Sequence, residues 1–148
     1  MSYDLLVFSQ EAAPKTKPEF MVWYESQTEW AEDHGYNDPA ITTPELRAWL
    51  LDMEQVFPDL NGMHATDDHT NAYETDYSIG RVVIYAAFSW SLTGEANEMA
   101  HRLALKHQVG FYDPSFEGPV LLPVNGELKP MEEVYQQKSD RKRPWWKL

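Results

Sequence analysis

The run Val82-Val83-Ile84-Tyr85-Ala86-Ala87-Phe88 constrains this chain most. It is rich in β-branched and aromatic residues and apolar on both faces of a strand, yet far short of the roughly 20 residues a membrane span needs. An interior strand of a sheet is therefore expected. Tyr77-Ser78-Ile79 precedes it across Gly80-Arg81, which makes the two a hairpin.

Other elements follow from periodicity and punctuation. Tyr3 to Phe8 is a β-prone run ending at Ser9-Gln10. From Glu19 the residues Phe20, Trp23, Tyr24, Trp30 and Ala31 recur at helical spacing until Asp33-His34-Gly35. Thr42 with Glu45 three residues on, and Pro44 in the first turn, predicts a capping box. Leu46, Trp49, Leu50, Met53 and Phe57 line the second helix, and Pro58 with Asn61-Gly62 ends it. Residues 62–76 show no apolar period and read as a long polar loop. Leu92, Ala96, Met99, Leu103 and Ala104 form a third helix, ending at His107-Gln108-Val109-Gly110, and Phe111-Tyr112 and Val120-Leu121-Leu122 are short strands.

The order β, α, α, β, β, α, β, β predicts an α+β fold: a mainly antiparallel sheet with helices on one face, ferredoxin-like or split βαβ with an additional helix. At 148 residues one core is expected. Its boundaries read as a domain over 1–126 and a basic, tryptophan-containing C-terminal tail over 127–148 that packs weakly.

Charge separates the two parts. Residues 129–148 carry +3 and residues 1–128 carry −15, within a whole of −12. Such a body repels nucleic acid and anionic lipid and favours encounter with a basic protein. Neither nucleic acid nor membrane is expected as a partner. The tail, with Lys138, Arg141, Lys142 and Arg143 before Trp145-Trp146, invites folding back onto the acidic surface or self-association. With no cysteine there is no disulfide, thiolate metal site or thiol nucleophile, which suits a reducing compartment. The N-terminal residues lack the pattern of a secretory signal, so a cytoplasmic location is expected.

No phosphate-binding glycine loop, dinucleotide fingerprint, nucleophile elbow or zincin helix occurs. His64-Ala65-Thr66-Asp67-Asp68-His69 offers metal-type donors, but adjacent donors on a loop fix no geometry, and no metal or other cofactor is expected. Carboxylates among aromatics over residues 24–38 (Tyr24, Gln27, Glu29, Trp30, Asp33, His34, Tyr36 and Asp38) suit either general acid–base chemistry or a solvated helix face.

Several strings resemble a family of small, acidic, uncharacterised bacterial proteins: Glu11-Ala12-Ala13-Pro14-Lys15, Gln27-Thr28-Glu29-Trp30, Leu46-Arg47-Ala48-Trp49, Ile84-Tyr85-Ala86-Ala87-Phe88-Ser89-Trp90 and Lys106-His107-Gln108-Val109-Gly110-Phe111-Tyr112-Asp113. The similarity spans residues 3–123. By analogy it implies an immunity protein that neutralises a toxin in interbacterial competition, and it brings no catalytic residues. The expected function is protein binding by charge-complementary occlusion of a basic toxin domain. Its contact residues would be Glu29, Asp33, Tyr36, Asp38, Asp67, Asp68, Glu74 and Asp76. The rival expectation is an enzyme built on Glu29, Asp33, His34 and Asp38.

Overall fold

The computed structural model describes residues 2–28, 39–59, 72–114 and 119–135. Its elements in chain order are β1 (Ser2–Phe8), α1 (Lys17–Thr28), α2 (Pro44–Glu54), β2 (Asp76–Ile79), β3 (Val83–Ser89), α3 (Thr93–His107), β4 (Gly110–Tyr112), β5 (Leu121–Val124) and β6 (Glu127–Pro130). Short 3-10 turns precede α2 and α3, and residues 131–135 are helical. The strands form one six-stranded sheet in the order β2-β3-β1-β4-β5-β6, antiparallel at every pairing. The α+β class and the antiparallel sheet agree with the sequence. So does the interior place of the apolar strand β3, between β2 and β1.

The helix layer differs from expectation. Successive strand residues point to opposite faces. On β1, Tyr3, Leu5 and Val7 join one core with α2 and α3, while Leu6 and Phe8 join a second with Phe20 of α1. Helices therefore cover both faces of the sheet, not one. Phe8 is apolar for the same reason as Val7, because each meets a helix.

In the first core Trp49, Leu50, Met53, Ile84 and Phe88 are all buried, as their periodicity predicts. Ala96, Ala100 and Ala104 make a small-residue stripe on α3 that lets α2 approach. Across it the Trp49 indole N–H donates to the Ala100 carbonyl at 3.2 Å, so the one polar atom of a buried indole is satisfied. Phe57 lies past the end of α2, yet is buried, and its carbonyl accepts from the Tyr77 hydroxyl at 2.8 Å.

Two local expectations shift. The N-cap of α2 is Thr43, whose Oγ1 accepts from the Leu46 N–H at 3.3 Å; Thr42 is instead buried, its hydroxyl directed at the Arg81 carbonyl. Only Thr43 directly precedes Pro44 at the first helical position, where a missing N–H is harmless.

The boundary at 126 also moves. Asn125 and Gly126 have φ of 51° and 81°, the pair of left-handed conformations of a two-residue hairpin turn, and Val124 pairs with Glu127 across it. Beyond β6, Met131 and Val134 are buried against Phe8, Val120 and Leu122 in the second core. Residues 127–135 thus belong to the folded body. Residues 136–148 lie outside the described residues.

Candidate protein-binding surface

Antiparallel register assembles a polar patch that no local stretch of sequence contains. Cross-strand partners share a face. Asp4 pairs with Ala87, and Ala87 with Asp76; Leu6 pairs with Tyr85, and Tyr85 with Ser78; Ser2 pairs with Ser89. These positions lie on the α1 side of the sheet. Helix α1 covers the part around Phe8 and Tyr112 through Phe20, Trp23 and Tyr24. Toward β2 the same face turns polar: Ser2 and Asp76 are exposed, and Asp4, Ser78, Tyr85, Ala87 and Ser89 are half-buried.

Asp4 is the centre of this patch. Its carboxylate accepts from the Ser2 hydroxyl at 2.9 Å. The Tyr85 hydroxyl lies within hydrogen-bonding reach of the Tyr24 oxygen and of Asp4. Burial, followed by the nearby Tyr24 and Asp4, pushes the Tyr85 phenol well above its ordinary value; Tyr24 is raised too, chiefly by burial. Both rings stay neutral at physiological pH and act as hydrogen-bonding aromatics. Asp76 stands two strand spacings from Asp4, about 9.5 Å by sheet geometry, with Ala87 on the strand between. Two carboxylates on rigid strands, flanked by tyrosines over a small floor, suit cationic side chains of another protein.

Of the contact residues expected from sequence, Glu74 and Asp76 are described: Glu74 is half-buried, and Asp76 opens β2 on the patch. Glu29, Asp33, Tyr36, Asp38, Asp67 and Asp68 lie outside the described residues, as do His34 and the His64–His69 string. Asp4 and Tyr85 were not anticipated. The available signal was Asp4 itself, the charged position in β1.

Other polar groups of the described residues serve the fold. Buried Asp113 accepts from the Tyr3 hydroxyl at 2.5 Å, and Asn97 donates to that hydroxyl at 2.8 Å, joining β1, α3 and the end of β4. Burial first, then the bond to Asp113, raises the Tyr3 phenol. His101 packs edge-on to Phe111, and burial lowers its pKa. Among the described residues no group of three or more His, Asp or Glu side chains is placed to hold a metal ion. None of their helices is long and apolar enough to cross a membrane. No family model, curated protein or solved structure matches the chain.

Proposed function

We propose that this chain is an immunity-type protein, acting in the cytoplasm, which binds a basic toxin domain and neutralises it by charge-complementary occlusion. The observation that carries the reading is the alignment of Asp4, Ala87 and Asp76 across three strands beside Tyr24 and Tyr85. Aromatic anchors amid carboxylates on a preorganised scaffold are the composition of an interface hot spot for cationic groups. The −15 of residues 1–128 adds long-range attraction and orients encounter. The rival acid–base reading rests on Glu29, Asp33, His34 and Asp38, which lie outside the described residues.

The test is a binding titration against the product of the neighbouring gene at rising salt. Wild type should bind and weaken as salt screens the charges. Asp4→Asn with Asp76→Asn should weaken binding about tenfold or more, as loss of close charge pairs does at interfaces. Glu98→Gln with Glu132→Gln changes net charge equally on dispersed exposed sites and should shift affinity less than about threefold. Equal affinity for all three proteins would sink the reading.

A further inference from the structure

The six-stranded sheet has two edges, β2 and β6, and an edge strand presents backbone groups that no neighbouring strand uses. At the β2 edge Tyr77 and Ile79 are fully buried. At the β6 edge Glu127 is exposed, and Leu128, Lys129 and Pro130 are half-buried. Which groups of β6 point outward follows from its pairing with β5. Val124 and Glu127 flank the two-residue turn, and the Met131 N–H donates to the Val120 carbonyl at 2.7 Å. Bonded pairs alternate with non-bonded ones along an antiparallel ladder. Glu127 and Lys129 therefore bond inward to Val124 and Leu122, whereas the Leu128 N–H and carbonyl and the Pro130 carbonyl point away from β5. The two prolines of the hairpin agree with this phase: Pro123 and Pro130 both occupy non-bonded pairs, where the ladder needs no N–H. Among the described residues no strand lies beyond β6.

We propose that this edge pairs with the β6 edge of a second copy of the chain, antiparallel, about a twofold axis at Leu128. In that arrangement Glu127-Leu128-Lys129 is self-complementary. Leu128 meets Leu128 and exchanges both backbone hydrogen bonds. Glu127 stands opposite the second copy's Lys129, and Lys129 opposite its Glu127, at non-bonded positions where facing side chains approach most closely. Within the chain the residues opposite them across the hairpin are Val124 and Leu122, so neither charge is met by another there.

Charge also selects the register. Outward groups face each other again only after a slide of two residues, and such a slide sets Glu127 against Glu127 or Lys129 against Lys129. Pro130, facing Gly126 of the second copy, has no N–H to offer and ends the pairing. One short strand from each copy buries less than roughly 1,000 Å², so the dimer is weak and depends on concentration. The Asp4–Asp76 patch lies on β1 and β2, toward the other edge of the sheet. Pairing through β6 leaves it open, so this proposal stands apart from the binding reading and is tested with different variants.

Two measurements on the full chain decide it. Sedimentation equilibrium is run at ~0.15 M salt, where screening over about 8 Å damps the repulsion between two chains of −12 and leaves adjacent charges to act. Wild type should pass from monomer to dimer between about 10 µM and 1 mM. Glu127→Lys and Lys129→Glu, each alone, should raise the dissociation constant about tenfold, the scale of two cross-strand charge pairs. Glu127→Lys also makes the chain less negative, so a general charge effect would strengthen its association, the opposite sign. Mixed in equal amounts, the two variants should pair with each other about as well as wild type pairs with itself, because every lysine again meets a glutamate. The double variant Glu127→Lys with Lys129→Glu should likewise regain self-association. The second measurement needs no variant: amide exchange at Leu128 should slow as the wild-type concentration rises. A wild type that stays monomeric through the range would overturn the proposal. So would single variants that associate as well as wild type, a mixture without heterodimer, or exchange at Leu128 that ignores concentration.

Discussion

Asp52 Oδ2 on α2 lies 2.7 Å from His107 Nε2 in the last turn of α3 and 3.1 Å from Lys106 Nζ. One carboxylate thereby ties the two helices of the first core together where the alanine stripe runs out. The bond to His107, and after it the bond to Lys106, holds the Asp52 carboxyl below its ordinary value.

The pH dependence follows from the sign of that shift. A carboxyl with a depressed pKa in the folded state stabilises the fold at pH values above its unfolded pKa, near 3.9, and that contribution disappears as pH falls through the folded value. Asp52→Asn should cost about 0.5–1 kcal/mol near neutral pH, the range of a partly exposed pair. The gap from wild type should close in strong acid. Denaturant melts at several pH values would show it, and a gap that persists in acid would assign the loss to packing instead.

The two cores offer matched cavity tests. Trp49 and Met131 are fully buried on opposite faces of the sheet. Trp49→Ala should cost about 3–5 kcal/mol, and Met131→Ala about 2–5 kcal/mol. Urea unfolding measures both. A loss under about 1 kcal/mol at Met131 would mean that residues 127–135 are an appendage after all.

Much of the architecture was legible because periodicity reports burial. Leu46, Trp49, Leu50 and Met53 spell one helix face, and Val82 to Phe88 spells an interior strand. The C-terminal hairpin was missed although Asn125-Gly126 is a strong turn signal, because the basic composition beyond it suggested a tail. The second helix layer was also encoded: Leu5, Leu6, Val7 and Phe8 are apolar in succession, which a sheet open on one side would not support. The polar patch was not legible. Asp4 and Tyr85 are 81 residues apart, and only the register of β1 with β3 brings them together.

That register also explains Gly110. It pairs with Phe8, and a Cβ built on Gly110 would overlap the Phe8 ring, which also packs against the rings of Phe20 and Trp23. Gly110→Ala should therefore destabilise by about 1–3 kcal/mol through overpacking. Phe8→Leu removes part of the ring at its own cost. Combined with Gly110→Ala it should cost less than the sum of the single changes, since the two alterations share one space. Additive losses in a double-mutant cycle would show that the glycine matters for some other reason.

Alkaline behaviour tests the phenols that burial raises, including the half-buried one on the polar patch. Tyr3, Tyr77 and Tyr85 all have pKa values raised chiefly by burial. A group whose folded pKa exceeds its unfolded value contributes fully below the unfolded pKa, near 10 for tyrosine, and its contribution is lost as pH rises through the folded pKa. Stability should thus hold up to about pH 10 and then decline. Phenolate absorbance from the described tyrosines, all buried or half-buried, should rise mainly above that pH and together with loss of the circular dichroism signal. Tyr85→Phe should reduce that rise. If every tyrosine instead ionised in one step near pH 10 while the protein stayed folded, Tyr85 would be too accessible to hold a neutral hydroxyl against Asp4, and its place as an aromatic anchor of the patch would fall with it.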